Sequence, residues 1–438
     1  MNSQPKSTWA RRAGVPAVLA VAAIALAGCT ASPSASTEQD PDAQIVVWGD
    51  ATRKPAFEAF KKANPDVDLK FETIDPATYL SKIQLANKVG KGWPDLIFDP
   101  SPNDIAALQS PLFDYALELD DLVDADVQKD FATENSLCTI DGHLYCLQND
   151  LAQDVLWYNK PLLEEFGYEL PTTWEEYTEL GEKLAVEHPG YVIGAAGEAT
   201  LYYEYLWASG CPIQDVQSST EVVINTADEK CTRVATMLDG LIANGSVSAL
   251  SQFDPKFNEL AAAGNLLMLP GPSWYGEYIF KPETGYKFPA GALAAGAMPS
   301  WPGEETNWSG ARGGGIYVVS AHSKNIEGAV AAAVFAATDP GYQETAPTYP
   351  AYKPAAELWL EKVSTDPFYA EDPSAVLIDA ADKINPAASA TRYPVEGSIN
   401  ATVVAAVKAG QTIESALEAL QTQLAGLAAS SGYSVSDK

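Results

Sequence analysis

Between residues 45 and 98 the spacing of apolar side chains switches repeatedly between the strand and helix periods. Ile45-Val46-Val47-Trp48 is a continuous apolar run closed by Gly49-Asp50, the pattern of a buried strand. Phe57 and Phe60 follow at helical spacing until Asn64-Pro65 stops the helix. Val67, Leu69 and Phe71 then alternate with Asp68, Lys70 and Glu72, a half-buried strand. Tyr79, Leu80, Ile83 and Ala86 mark one side of a second helix that ends at Gly90, and Pro94-Asp95-Leu96-Ile97-Phe98 is a third strand. This order predicts a mostly parallel sheet, with its ligand crevice beyond the carboxyl ends of the strands. Trp48, Asp50 and Asp99 fall on that rim. Trp48 has a second reading as a core residue, and Asp99 as a turn former or helix cap. Far down the chain, Ile413, Leu417, Leu420, Leu424 and Leu427 recur at steps of four and three, the buried stripe of one more helix.

The N-terminus follows a different pattern. Lys6, Arg11 and Arg12 precede an apolar run from Val15 to Ala27, which has the length of a secretory segment and is too short to span a bilayer. It closes at Leu26-Ala27-Gly28-Cys29, which reads as a bacterial lipoprotein signal. Residues 1–28 are then removed, and acyl chains on Cys29 hold the protein on a membrane. Arg11-Arg12 also permits twin-arginine export, which the flanking residues do not support. Residues 29–43, rich in Ser, Thr and Pro, have almost nothing apolar to bury and form a surface tether. No later apolar stretch is long enough to cross a membrane.

Charge narrows the partners. The chain has 438 residues, 27 of them basic and 58 acidic, for a net charge of −31. Such a surface repels phosphate backbones and argues against nucleic acid. The length beyond the signal exceeds what one core organises, so two lobes are expected.

Apart from Cys29, the chain contains Cys138, Cys146, Cys211 and Cys231, an even number in an exported chain, with three possible pairings. Cys138 with Cys146 is favoured, because Asp141-Gly142 between them is a tight-hairpin signature. Cys211 then pairs with Cys231. There is no CxxC spacing and the only histidines are His143, His188 and His322, so no metal and no cofactor are expected.

The middle of the chain carries a motif series. Asp141-Gly142-His143-Leu144-Tyr145 comes first, then Val155-Leu156-Trp157-Tyr158-Asn159-Lys160-Pro161-Leu162-Leu163, then Gly167-Tyr168-Glu169-Leu170-Pro171-Thr172-Thr173-Trp174-Glu175-Glu176-Tyr177. In order and spacing it resembles the family 1 extracellular solute-binding proteins of ABC importers. Thr173 with Glu176 also makes a capping box for a helix whose buried stripe is Tyr177, Leu180 and Leu184. The resemblance extends through Leu266–Trp274, similar to the family's apolar strand and "G-P-W" element with Ser273 inserted. It continues through Gly313-Gly314-Gly315-Ile316-Tyr317-Val318-Val319-Ser320 with Ser323-Lys324-Asn325, and through Tyr349-Pro350-Ala351-Tyr352-Lys353. Gln148-Asn149 departs from it where many relatives place a proline.

The resemblance implies an α/β fold of the two-lobed periplasmic-binding-protein type (type II), each lobe a mixed, mostly parallel sheet flanked by helices, with the ligand cleft at the hinge. Crossings are expected near 149–154, 308–312 and 346–350, giving lobe one as 44–150 with 311–345 and lobe two as 153–307 with 350–438. It also implies a non-enzymatic, monomeric protein on the extracellular face of the cytoplasmic membrane, which closes on its ligand and docks on the permease subunits of an ABC transporter.

The aromatic inventory says which ligand suits such a cleft. The C–H face of a pyranose stacks on aromatic rings, while its hydroxyls need fixed donors and acceptors once water is excluded. Trp274, after the turn at Gly271-Pro272, is the leading stacking platform, with a core role as its alternative. Trp48, Tyr203, Trp207 and Trp308 are further candidates, although Tyr202, Tyr203, Tyr205, Leu206 and Trp207 crowd one helix and at least half must be core or ordinary surface. Asp50 on the rim, with Asp99, Asn149, Asp150 and Arg312, supplies groups to orient hydroxyls; Asp150 and Arg312 have the alternative of pairing with each other. Gly313–Gly315 lacks the Lys-Ser/Thr of a phosphate loop and reads as close packing at a hinge. A neutral mono- or oligosaccharide is the expected ligand. The alternatives are ferric iron, for which Tyr202-Tyr203 is superficially suited, polyamine or peptide on the same scaffold, and an anchored carbohydrate-processing enzyme.

Overall fold

The computed structural model describes residues 38–131, 137–282, 284–389 and 391–436. The signal segment, Cys29 and most of the tether lie outside them. Among the described residues no helix is long and apolar enough to cross a membrane.

Eight strands make the two main sheets: β1 (Ile45–Gly49), β2 (Leu69–Thr73), β3 (Leu96–Asp99), β4 (Leu147–Gln148), β5 (Asp154–Asn159), β6 (Met268–Pro272), β7 (Leu293–Gly296) and β8 (Ile316–Val319). The first sheet runs β2-β1-β3-β8-β4. Ile45 lies opposite Leu69 and Val47 opposite Leu96, both pairings parallel, while β8 is antiparallel to β3 and β4. Two helices, α1 (Lys54–Ala63) and α2 (Tyr79–Val89), connect the parallel strands. Phe57 and Phe60 of α1 are buried, Phe57 stacking on Phe71 at 5.5 Å and Phe60 meeting Phe335 edge-on at 5.5 Å. In α2, Tyr79, Ile83 and Ala86 are buried, and Leu80 of the expected stripe is only half-buried. Gly90 ends α2 in the left-handed region at φ 72°.

The second sheet is β6-β5-β7, antiparallel throughout, with all six residues of central β5 buried. Parallel pairing enters beside it: Val192 bridges Leu266, and Val247-Ser248 pairs with Gly194-Ala195. This lobe is therefore a mixed α/β layer. Its helices pack Tyr177, Leu180 and Leu184 of Trp174–Glu187 against the same core as Ile413, Leu417, Leu420 and Leu424. Leu427 is only half-buried, and Ala428 takes the inward position in the last turn. Disulfides join Cys138 to Cys146 and Cys211 to Cys231. The first closes a hairpin whose turn, Asp141-Gly142, has φ of 52° and 87°, the two-residue turn its sequence asks for.

The chain passes between the sheets where backbone pairs with backbone. Asp150 bridges Pro350 and Gln153 bridges Ala311; Asp154 N–H donates to Gly310 O at 3.0 Å and Ala351 N–H to Asn149 O at 3.0 Å. These bonds place the floor of the space between the lobes.

The capping box forms as the sequence indicates: Glu176 N–H donates to Thr173 Oγ1 and Thr173 N–H to Glu176 Oε2, both at 3.2 Å. Thr172 adds two more donors to the same Glu176 oxygen at 2.8 Å. Thr173→Ala removes the cap and is expected to lower stability by about 1 kcal/mol, read as a shift of the urea midpoint with an unchanged slope.

Candidate functional site

A cavity of about 780 Å³ lies over this floor. Asp50, Arg53, Ser101, Asn103 and Asp150, from the ends of β1, β3 and β4, line one side. The other side carries Tyr203, Trp207, Phe253, Trp274, Tyr278, Tyr393 and Glu396, and Ala311–Gly315 runs beneath. The first sheet thus presents mostly hydrogen-bonding groups and the second mostly rings. Gly313 and Gly314, at φ 101° and 81°, carry the floor through the left-handed region that favours glycine.

Trp274 is half-buried, and its indole is fixed from behind. Nε1 donates to the Arg312 carbonyl at 2.9 Å, Tyr275 meets the ring edge-on at 4.7 Å, and the Arg312 guanidinium sits 5.5 Å from the ring centroid. Arg312 is itself held: Nη1 donates to Tyr275 Oη at 2.8 Å and Nη2 to Glu198 Oε1 at 3.1 Å. Glu204 Oε1 lies 4.0 Å from Nη1 and accepts from Tyr275 Oη at 3.1 Å. The result is a rigid ring face over an internal ion cluster.

That cluster holds more acid than base. Asp154 and Glu204 are fully buried, and neither oxygen of Asp154 has a hydrogen-bond partner. A side chain on Gly310 would collide with the Asp154 carboxyl group. Burial is the largest effect and pushes the Asp154 carboxyl up to about 8, against the smaller pull of Arg312. Burial, and then repulsion from Asp154, raises Glu204. The Asp154 carboxyl therefore keeps its proton at neutral pH.

The sequence profile of the bacterial extracellular solute-binding proteins matches residues 42–343. The chain belongs to that family. Relatives agree with this assignment. The arabinooligosaccharide-binding protein of Halalkalibacterium halodurans is 23% identical over 342 residues, 73% of each chain. The galactooligosaccharide-binding protein of Bacillus subtilis is 30% identical over 183 residues, 40% of this chain and 41% of that one. Among solved structures, the galacto-N-biose/lacto-N-biose I-binding protein of Bifidobacterium longum, in complex with lacto-N-biose, superposes with TM-score 0.73 at 19% identity. It covers 91% of this chain and 100% of that one. The fold is therefore that of the two-lobed binding proteins, and the solute-binding protein is an extracellular one.

Of the residues expected at its site, Asp50, Asp150, Tyr203, Trp207, Trp274 and Arg312 line the cavity. Trp48, Asp99, Asn149 and Trp308 do not, and each has a physical reason. Trp48 is 8% exposed, packs against Tyr79 at 5.9 Å and donates Nε1 to Glu72 at 3.1 Å. Asp99 Oδ1 accepts the Ser101 N–H at 2.9 Å, the turn role. Asn149 is buried behind the floor, donating to Asp150 Oδ1 at 2.6 Å and accepting from Tyr317 Oη at 3.1 Å. Trp308 faces a separate surface hollow with Lys230, Glu304 and Glu305. Arg312 and Asp150 do not pair with each other; Arg312 takes Glu198 instead.

Lining residues outside the sequence reading of the solute-binding protein include Arg53, Phe253, Tyr278, Tyr393 and Glu396. Arg53 was within reach of the rim rule, three residues past Asp50. The others sit on loops and irregular helices where no period marks the inward side.

Asp154 gives the site a pH signature. Its carboxyl keeps its proton up to about pH 8 in the native state and only to about 3.9 when unfolded, so the native state binds more protons in between. Stability then falls as pH rises through that window, and the full cost of the charge is present above it. Asp154→Asn removes this cost. Its melting temperature, matched to the parent near pH 4, is expected to exceed it by several degrees at pH 8.5 in thermal melts.

Proposed function

We propose that this protein captures a neutral oligosaccharide between its lobes and presents it to the membrane subunits of an ABC importer. Trp274 carries the reading: a fixed indole face, backed by Arg312 and Tyr275, in a cavity whose opposite wall supplies charged and hydroxyl groups. That pairing of an apolar face with fixed donors and acceptors matches the two kinds of surface on a sugar. The relatives named for arabino- and galactooligosaccharides, and the structural neighbour holding lacto-N-biose, support the same class. The cavity's volume suits a ligand of more than one ring.

Within this reading the lobes are 44–150 with 311–345 and 153–307 with 350–438. A ligand touched by both favours the closed state by its differential affinity, and the lobes rotate about the crossings. The protein acts as a monomer without catalysis, and acylated Cys29 keeps it on the outer face of the cytoplasmic membrane. Iron is disfavoured, because Tyr202 turns from the cavity into an apolar pocket with Leu206 and Val234, so Tyr202-Tyr203 offers no paired phenolates.

Thermal melts with arabinobiose, β-1,6-galactobiose, lacto-N-biose and maltotriose test the ligand class. At a hundredfold excess over Kd a ligand selective for the native state adds about 2.7 kcal/mol, a rise of several degrees, and at least one of these sugars is expected to give it. Trp274→Ala abolishes the shift while the unliganded protein still melts cooperatively, and Trp274→Phe restores part of it. Loss of cooperative melting in both variants would make Trp274 a core residue.

A further inference from the structure

Trp308 stands apart from the other described tryptophans. Each of those has an aromatic ring against it, from His322 on Trp93 at 3.9 Å to Trp174 on Trp301 at 6.2 Å. Trp308 is half-buried, and among the described residues no ring packs on it and no acceptor takes its Nε1–H. Its backbone is nevertheless fixed. Asn307 Oδ1 accepts from Lys383 Nζ at 2.8 Å, Ser309 N–H donates to Lys383 O at 2.8 Å, and Asn385 N–H donates to Ser309 O at 2.8 Å, so the residues on both sides of the indole are pinned.

The ring borders a surface hollow of about 270 Å³ that is separate from the cleft. Helix Ala199–Ala208 adjoins both: its Tyr203 and Trp207 line the cleft, and Ser209-Gly210, just past its end, line the hollow. Arg233 fixes the rim. It donates to Ser209 Oγ at 2.7 Å and to Ser209 O at 2.8 Å, holds Glu304 Oε1 at 2.7 Å, and lies 4.5 Å from the Trp301 ring. Lys230 runs beside Gly210 and is exposed, and among the described residues no carboxylate is within ion-pair distance of its ammonium. Glu305 and Thr306 complete the lining.

Charge decides what fits. Lys230 and Arg233 balance Glu304 and Glu305, so the hollow as a whole favours neither an anion nor a cation. An unpacked indole face bordered by an ammonium, carboxylates and a hydroxyl matches the two kinds of surface on a pyranose. We propose that this hollow is a second saccharide site, outside the cleft: one neutral sugar ring stacks on Trp308, and its hydroxyls bond Lys230, Glu304 and Glu305. It takes the ligand class of the reading above but uses none of the cleft's residues. The volume is at the small end of ligand pockets and suits a single ring, and one open platform gives affinity in the millimolar range.

Fluorine NMR of the mature chain, labelled with fluorotryptophan and carrying Cys29→Ser for solubility, tests it. Trp308→Phe and Trp274→Ala assign the two resonances by their disappearance. D-Galactose, L-arabinose and maltotriose are titrated into the parent and into Trp274→Ala. In Trp274→Ala the Trp308 resonance is expected to move saturably with at least one of these sugars, and Lys230→Met to weaken that binding by about tenfold, the loss of a charge-assisted hydrogen bond. Trp308→Ala is expected to melt close to the parent, because no ring packs on the indole. A Trp308 resonance that stays still or drifts without saturating overturns the site, as does Lys230→Met binding as tightly as the unsubstituted protein. A fall of several degrees in the Trp308→Ala melt also overturns it, by making the ring a packing residue. The Trp274 resonance of the parent reads the cleft in the same spectra. Movement of Trp274 with Trp308 silent leaves capture in the cleft standing and removes the second site, and saturation at Trp308 with Trp274 silent does the reverse.

Discussion

The structure depends on a conflict at the crossings. Backbone that runs between two sheets has to be hydrogen-bonded, because buried unpaired N–H and C=O groups are costly, and it also has to bend if the lobes are to move. The chain meets both demands with isolated bridges in place of a ladder: Gln153 with Ala311, Asp150 with Pro350, and Asp154 N–H on Gly310 O. Each bridge is flanked by only a pair of backbone bonds, Arg312 N–H on Ala152 O and Asp154 N–H on Gly310 O at the first, Leu151 N–H on Tyr349 O and Ala351 N–H on Asn149 O at the second, so the pairing is short. Gly310, Gly313 and Gly314 sit where a side chain would strike Asp154 or where φ is positive.

The same crossings carry part of the cavity lining. Trp274 leans on the Arg312 carbonyl, and Arg312 is held by Glu198 and Tyr275, so the ring platform is fastened to the floor and not to a mobile loop. Burial offsets the acid excess beneath it, pushing Asp154 up to about 8 and Glu204 upward as well, toward their neutral forms. A protonated carboxyl has no net charge to desolvate, so the cluster stays compact without a second buried base. Rings line one wall of the cavity and hydrogen-bonding groups the other.

Much of this was legible in the chain. Period switching from Ile45 to Phe98 marks the parallel strands and their helices, Asp141-Gly142 marks the hairpin that brings Cys138 to Cys146, and Thr173 with Glu176 marks a helix start. Each is a local rule. The rim rule located Asp50 on the cavity, while Trp48 takes its other reading as a core residue, because alternation along a strand decides which side chain faces the helix layer, and a continuous apolar run hides that alternation. Asp99 and Asn149 were drawn to the site by charge and position, yet their polar atoms serve the turn at Ser101 and the Asp150 carboxylate. Arg53 and Tyr278 escape the pattern because a helix cap and a five-residue irregular helix carry no period that marks the side facing the cavity.

Closure on a shared ligand is the central claim, and small-angle X-ray scattering of the mature chain tests it most directly. With saturating oligosaccharide identified by its melting shift, the radius of gyration is expected to contract by about an ångström, as hinge closure requires, and the Trp274→Ala protein is expected to keep its unliganded curve. Superimposable curves with and without a sugar that binds would contradict the account.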